Sequence, residues 1–451
     1  MTQTQSPADS TLIYGIEDRP PLHDAFFAAL QHLLAIFVAI ITPPLIIAQA
    51  LGLDKETTGF MVSMSLLASG ICTFIQCRRI GPVGCRMLCV QGTSFSFIGP
   101  IIAIGTVSGL PAVFGACVLG APVEILVSCT FRYLRKVITP LVSGTVVMLI
   151  GLTLIKVGIT SCGGGDINAP EFGSLRNVGV AVIVLISVMV FNLSRFKYLR
   201  MSSIFLGIII GYAVSASLGM VDYSAITGAA DKYFYDIVPF KYGFEVSWSA
   251  IFSMGIVYLV TAIEATGDVT ANSIISGLSL DDKDYVKRIS GGVMADGVNS
   301  MIAGLFSSFP NSIFAQNNGI IQLTGVASRY VGYFIAGMLV FLGFFPILGS
   351  VFSTIPAPVL GGATLLMFGT IAATGVRIVA SQPIDRKAIL VLAASLSFGM
   401  GVELMPDILR ATPDSVRIIF SSGITTGGLT AIVANIAVHL LDRKKKGKNN
   451  G

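Results

Sequence analysis

Long apolar segments alternate with short polar ones along almost the whole chain. An α-helix needs about 20 apolar residues to cross the hydrocarbon core of a bilayer. The pattern predicts an all-α membrane protein with fourteen transmembrane segments. They lie near residues 25–50, 60–77, 87–105, 111–130, 138–158, 178–194, 201–221, 248–267, 289–306, 311–326, 330–351, 358–376, 387–402 and 415–440.

Two of these segments differ from an ordinary transmembrane helix. Residues 89–100 are CVQGTSFSFIGP and residues 309–319 are FPNSIFAQNNG, so each mixes small polar residues with aromatic ones beside a proline. Each is the third segment of its half if the chain divides into seven and seven. Because seven is odd, the second half must be inverted relative to the first. Interrupted segments at matching positions of inverted repeats indicate a substrate site at the membrane midplane, lining a polar cavity.

Composition and charge agree with a membrane location. The 451 residues are 53% hydrophobic and 12% charged, about half the charged fraction of a typical soluble domain. Residues 1–24 are polar and have no cleavable signal pattern, so the first segment is retained. Most of the 29 lysines and arginines fall in loops on the side of the N-terminus, which predicts cytoplasmic termini. The net charge of +5 is explained by these basic loops and does not indicate nucleic-acid binding. The basic tail is expected to contact anionic lipid.

Five ionisable residues lie inside the predicted segments and are candidate functional groups, because each is costly to place there. Glu264 and Asp268 are four residues apart and share a helix face. Asp268 either shapes the site or caps a helix end, and Asp296 either makes a structural hydrogen bond to span 1 or 10 or carries a proton. Glu124 is expected to extend toward the interface, and His32 is either a packing residue or a direct participant. Glu264 has small neighbours and is expected to be functional.

Glu264 and Gln316 suggest the chemistry of the cavity. A buried carboxyl group is costly to leave charged, so Glu264 is expected to bind and release a proton. The Gln316 carboxamide presents an acceptor and a donor side by side, which matches the adjacent C=O and N–H of uracil, xanthine or urate. Phe95, beside Ser94, offers either a stacking surface for a flat ligand or plain core packing.

Other functional classes fit less well. A channel would favour symmetric subunits, and an anion exchanger would need a cation beyond Arg86 in the interrupted segments. The pattern of a phosphate-binding loop is absent, which argues against an ATP-driven pump, whereas sodium symport stays open. Cys85 and Cys89 have a spacing compatible with a metal, but no His or Asp accompanies them, so we interpret them as core residues and expect no cofactor.

Several motifs resemble the nucleobase–ascorbate transporter family, also called nucleobase:cation symporter-2. Its signature has the form Q/E/P-N-x-G-x-x-x-x-T-R/K/G, and residues 316–325 are QNNGIIQLTG. The similarity extends over nearly the whole chain through EDRPPL, QHLLA, QGTSFSF, ITPLVSG, GGVMADG and VLGGATLLMFG. Within the family, the chain resembles the bacterial xanthine permeases.

The resemblance implies an architecture. The fold would be two inverted seven-span repeats, with a short strand in span 3 and another in span 10. Residues 25–136 (spans 1–4) and 248–352 (spans 8–11) would form a core domain, and residues 137–247 (spans 5–7) and 353–441 (spans 12–14) a gate domain. Residues 1–24 would be a cytoplasmic N-terminal segment and residues 442–451 a basic cytoplasmic tail. Proteins of this family are commonly homodimers through their gates.

The resemblance also implies roles for residues. Glu264 would hydrogen-bond the base, Gln316 would recognise the purine edge, and main chain near Phe95 and Ala315 would complete the site. The residues that shape affinity and coupling would be His32, Asp296 and Asn317. The implied activity is proton-coupled xanthine uptake across the inner membrane by an elevator-like or rocking mechanism. The alternatives are a urate carrier, a broader purine or uracil permease, or a sodium-coupled carrier, and the small side chain of Ser94 would admit 8-substituted purines.

Overall fold

The computed structural model describes residues 12–134, 139–224, 226, 234–279, 283–381 and 383–449. The predicted start of the first gate segment at 137, residues 1–11 of the N-terminal segment and the last two residues of the tail lie outside these ranges. The described α-helices are α1 Leu22–Ala50, α2 Lys55–Arg78, α3 Ile98–Gly120, α4 Pro122–Leu134, α5 Pro140–Gly163, α6 Leu175–Asn192, α7 Lys197–Met201, α8 Ser203–Ser217, α9 Trp248–Ile275, α10 Lys283–Leu305, α11 Gln316–Thr324, α12 Arg329–Phe344, α13 Pro346–Ser353, α14 Ala357–Val379, α15 Arg386–Leu404, α16 Asp414–Phe420 and α17 Gly423–Asn449.

The helices make the chain a multi-pass membrane protein. Within the described ranges, eight helices are long and apolar enough to cross a bilayer, or up to ten if each of two bent pairs is one span. Side chains that bond freed backbone groups start several of these helices. Asp54 caps α2 by accepting from Thr57 N at 2.9 Å, and Ser247 caps α9 by accepting from Ala250 N at 3.4 Å.

Three predicted segments depart from a straight helix. Residues 330–351 are two helices, α12 and α13, bent by 79°, because Pro346 begins a new helix and cannot continue the first one. Residues 415–440 likewise divide into α16 and α17, bent by 80°. Inside α3 the backbone of Gly109 has φ 77°, ahead of Pro111, so the chain kinks where a loop between the third and fourth segments was predicted.

Two short strands interrupt the helices where the sequence is least helical. Strand β1 is Gln91–Thr93 and strand β2 is Asn311–Ile313. They pair antiparallel, with Gln91 opposite Ile313 and Thr93 opposite Asn311. The two predicted strands are therefore confirmed, and they bond to each other although more than 200 residues separate them. Each strand leads into a helix, β1 into α3 through a 3₁₀ turn at Phe95–Phe97 and β2 into α11.

Close helix contacts depend on small residues. Helix α2 packs against α12 and α13, α4 against α10, and α5 along α14. A Cβ atom at Gly375 in α14 would lie 2.2 Å from the backbone N of Met148 in α5, so these two backbones touch. Small residues at such positions let apolar helices approach closely and gain van der Waals contact.

Gly92 provides a test of the packing, because strand β1 runs between two large side chains at this residue. A Cβ atom at residue 92 would meet the Phe314 ring at 2.4 Å and Ile40 at 2.9 Å. We expect Gly92→Ala to destabilise the protein by about 1–3 kcal/mol, measured as a lower melting temperature in detergent. Gly337→Ala is the matched control, since nothing lies within 4 Å of its Cβ position. Equal melting temperatures for the two variants would contradict this packing.

Candidate functional site

The strand pair brings the two interrupted segments to one place. Ser94 directly follows β1, and its backbone N donates to Pro310 O at 2.9 Å. On the other strand, Phe314 N donates to Val90 O at 3.0 Å, so pairing continues beyond the ladder on both sides. Ser94 is 3% exposed and Phe95 is 8% exposed. The Phe95 ring makes an edge contact with Phe368 of α14, with 5.9 Å between the ring centroids.

Glu264 lies on α9 and faces this segment. Its Oε2 accepts a hydrogen bond from Ser96 Oγ at 3.4 Å, and the residue is half-buried. A hydroxyl–carboxylate bond of that length is weak compared with the usual separation of about 2.7 Å. The carboxylate therefore keeps most of its hydrogen-bonding capacity for another partner.

Helix α11 begins on the other side of the strand pair and packs against α9. Its first residue, Gln316, is exposed, as are Ala315 before it and Gly319 one turn later. Gly267 on α9 is exposed as well. Both helices therefore have exposed residues, and Gln316 is one of them.

Asp268 is also on α9, one turn after Glu264, and is half-buried. The interpretation of Asp268 as a residue near a helix end is wrong, because α9 continues to Ile275. Its backbone carbonyl accepts from Asn318 Nδ2 at 3.3 Å. This bond ties the middle of α9 to the first turn of α11.

Asp296 is fully buried on α10 and touches both strands. Its Oδ1 accepts from Gln91 Nε2 at 2.6 Å and from Gln76 Nε2 at 3.4 Å. Its Oδ2 accepts from the backbone N of Ile313 at 3.4 Å. A hydrogen bond from Asp296 to span 1 or span 10 was predicted. The bond to span 10 is present, because Ile313 lies in that segment. The carboxylate thus joins α2, α10, β1 and β2.

His32 and Asn317 lie side by side in the interior. Asn317 Nδ2 donates to Leu88 O at 2.5 Å, which holds the start of α11 against the chain before β1. Both residues are fully buried. Within the described part of the chain, neither ring nitrogen of His32 has a hydrogen-bond partner. The two interpretations of His32, as a packing residue and as a direct participant, both stay predictions.

Besides Asp268, the structure corrects Glu124, and it adds three residues to those predicted. Glu124 does not extend toward the interface: it is fully buried, and its Oε1 accepts from Thr261 Oγ1 at 3.0 Å. Sequence reasoning missed Ser96, Gln91 and Gln76 as partners of the two central carboxyls. Ser96 and Gln91 belong to the interrupted segment, so a polar side chain at apolar depth was the available signal. Gln76 lies near the end of an otherwise ordinary helix and gave none.

Two of the cysteines lie in apolar surroundings. Cys85 and Cys89 are buried in a cluster with Met87, Val269 and Val293. No group of three or more His, Cys, Asp or Glu side chains suited to a metal ion occurs among the residues for which the structure gives positions.

The fold has a counterpart among solved membrane-protein structures. In fold, the chain resembles the murine Solute Carrier 26 family member A9 anion transporter, with a TM-score of 0.66 and 11% sequence identity. The match covers 94% of this chain and 69% of that structure. An identity this low establishes similarity of fold alone.

Sequence comparison identifies the family. The model of a permease family, Xan_ur_permease, matches residues 23–408. The chain is 46% identical to xanthine permease XanP of Escherichia coli strain K12 over 97% of this chain and 96% of that protein. It is 36% identical to uric acid permease PucJ of Bacillus subtilis strain 168 over 93% of this chain and 94% of that protein. The chain belongs to this permease family, the nucleobase:cation symporter-2 family that the signature indicated, and it is a transporter rather than an enzyme.

The bond between Gln91 and Asp296 yields a stability prediction. Gln91→Leu keeps the approximate shape but removes the donor at 2.6 Å from a buried carboxylate. We expect a loss of about 1–3 kcal/mol, measured as a lower melting temperature and lower yield of folded protein. The control is Gln322→Leu, which alters an exposed amide on α11. A Gln91→Leu protein as stable as the parent would show that Asp296 does not depend on this donor.

Proposed function

We propose that the chain takes up xanthine across the inner membrane by symport with a proton. The observation that carries the proposal is the contact of Ser96, next to Phe95, with Glu264 on α9. Helix α11 packs against α9 and begins with the exposed Gln316. It is supported by 46% identity, over almost the full chain, to a protein named xanthine permease. The site uses side chains and backbone alone and needs no cofactor.

The hydrogen-bonding groups of a purine match those of Gln316, Glu264 and the nearby main chain. Gln316 offers its C=O and NH₂ to an adjacent N–H and C=O of the base. Glu264 accepts from a ring N–H, which the weak 3.4 Å contact with Ser96 leaves it free to do. The main chain at Phe95 and Ala315 completes the hydrogen bonding, and the Phe95 ring borders the plane of the base.

Coupling is assigned to the acidic groups on α9 and α10. Glu264 exchanges a proton in contact with the base. Asp296, His32, Asn317 and Asp268 shape the site around it. The support for this division is the bonding of Asp296 to both strands and of Asn318 to the Asp268 carbonyl. A proton moving inward across 100 mV contributes about 2.3 kcal/mol, which sustains roughly fifty-fold accumulation.

The proposed architecture has fourteen spans in two inverted repeats, with both termini in the cytoplasm and a homodimer formed through the gates. Residues 25–136 and 248–352 form the core, and residues 137–247 and 353–441 form the gate. Helix packing supports this division, because α2 packs on α12 and α4 on α10, whereas α5 packs on α14 and α15 on α17. Contact of Phe95 with Phe368 then lies between core and gate, so movement of the core would alter the site.

Urate is the second candidate substrate. Ser94 is small and lies beside Phe95, and a small side chain at this position would admit a purine with an oxygen at the 8-position. One relative, 36% identical to this chain, is named a uric acid permease. Competition of labelled xanthine uptake by urate, guanine, hypoxanthine and uracil ranks these ligands directly.

Uptake by intact cells tests the function and the coupling together. We expect saturable accumulation of labelled xanthine that an uncoupler abolishes and that removal of sodium leaves unchanged. Glu264→Gln mimics the protonated carboxyl, so it should retain part of the binding and lose accumulation against a gradient. Glu264→Ala should lose both.

The control for this experiment is Glu171→Gln, a change of an exposed acid outside the site. Uptake that depends on sodium would show sodium symport instead of proton symport. Non-saturable flux would indicate a channel. If Glu264→Gln still concentrates xanthine and responds to uncoupler like the parent, Glu264 is not the coupling group and Asp296 becomes the next candidate.

Recognition by the amide of Gln316 gives a separate prediction. Gln316→Glu retains an acceptor but loses the NH₂ donor when ionised. We expect xanthine affinity to fall by at least tenfold, about 1.4 kcal/mol, with a changed order of competing bases. The measurement is the inhibition constant of each base against labelled xanthine. Inhibition constants equal to those of the parent would remove Gln316 from the site.

A further inference from the structure

The N-terminal segment Leu12–Asp18 is bound to the chain that follows α11. Ile13 N donates to Gly325 O at 2.8 Å, Ala327 N donates to Tyr14 O at 2.9 Å, and Arg329 N donates to Ile16 O at 3.0 Å. Tyr14 and Val326 form a parallel bridge. The segment therefore pairs with residues 325–329, immediately beyond the helix that begins with Gln316, and then turns at residues 16–17.

Glu17, near the end of this segment, forms ion pairs with two arginines. Its Oε1 lies 3.0 Å from Arg86 Nε, and its Oε2 lies 2.9 Å from Nη2 and 3.0 Å from Nε of Arg329. The Arg329 side chain is only 7% exposed, while that of Glu17 is 53% exposed. Arg329 also donates to Tyr333 Oη at 2.6 Å. A buried guanidinium needs an anion beside it, because an unpaired buried charge is strongly unfavourable.

The same contacts stabilise the ionised form of Glu17. Burial acts to raise its pKa, but the hydrogen bond and charge of Arg329, with the charge of Arg86, outweigh burial and lower the pKa below its usual value. Glu17 is therefore ionised throughout the neutral range, and the pairing is lost only when the pH falls through its lowered pKa.

The two arginines lie close in sequence to the elements of the site. Arg86 precedes strand β1 by five residues, and Arg329 follows the last residue of α11 by five. Helix α11 has nine residues, too few to be stable by itself. Its first turn is held by Asn317 and Asn318, and its other end stops at Gly325 with φ 71°. The orientation of α11 therefore depends both on these two asparagines and on what holds residues 325–329.

We propose that Glu17 is a positioning residue for the substrate site: by pairing with Arg329 and Arg86 it fixes the N-terminal segment against the end of α11 and so fixes the direction of Gln316. The role in affinity rests on the proposed function of Gln316. Glu17 does not touch the substrate. It acts through Arg329 and the backbone of residues 325–329.

Glu17→Gln tests the proposal, because it keeps the size and removes the charge. Purified parent and variant are compared by hydrogen–deuterium exchange, with the backbone amides of residues 316–324 as the reporter. We expect faster exchange there with unchanged exchange of α5 and α14, and a lower melting temperature because the buried Arg329 guanidinium loses its anionic partner. In cells with matched protein abundance, we expect the KM for xanthine uptake to rise about tenfold, equivalent to about 1.4 kcal/mol, with little change in maximal rate. Glu17→Asp restores the carboxylate and should recover part of both effects.

The matched control is Asp284→Asn. Asp284 is an exposed acid that pairs with Lys287 at 3.0 Å, and we expect parental exchange and KM from this variant. Unchanged exchange of residues 316–324 in Glu17→Gln overturns the proposal, and so does faster exchange with an unchanged KM. If the parent takes up no xanthine, the proposed function and the role in affinity fail, while the exchange data still decide whether Glu17 orders α11.

Discussion

Backbone pairing between β1 and β2 is the interaction on which the candidate site depends. Inside a membrane protein an unpaired backbone N–H or C=O has no water to bond, so non-helical chain is tolerated only where protein or a polar cavity satisfies it. Residues 91–93 and 311–313 satisfy each other, and Ser94 N and Phe314 N extend the pairing at the two ends. Each strand comes from a different half of the chain. Neither interrupted segment is therefore complete without the other.

The antiparallel arrangement also sets where the helices begin. The chain leaves β1 toward Phe95 and α3 at one end of the pair, and leaves β2 toward Gln316 and α11 at the other. Three residues of strand span about 10 Å, a length comparable with a flat bicyclic base. The N-termini of two helices, where the dipole favours negative charge, thus lie at opposite ends of the strand pair. In the proposed function, carbonyl oxygens of a purine face those N-termini.

Sequence patterns predicted the features that depend on local composition. The interrupted segments were visible as Gly, Ser and Asn within apolar runs, and Glu264 and Asp296 stood out as acids at apolar depth. The bend at Pro346 also had a local signal, but the apolar pattern alone suggested one continuous helix. The pairing of Asp296 with its partners had no such signal. Gln76 and Gln91 meet Asp296 across more than 200 residues, and helix periodicity contains no information about contacts at that separation.

The two central carboxyls differ in how firmly they are held, and this difference constrains their roles. Glu264 has one long bond to Ser96 and is half-buried, so exchanging that partner for a ligand or a proton disturbs little else. Asp296 is fully buried and accepts from Gln91, Gln76 and the backbone of Ile313. Protonation of Asp296 would weaken bonds that hold both strands in place. A proton on Glu264 would therefore alter ligand contact directly, whereas a proton on Asp296 would act through the strand pair and change the shape of the site.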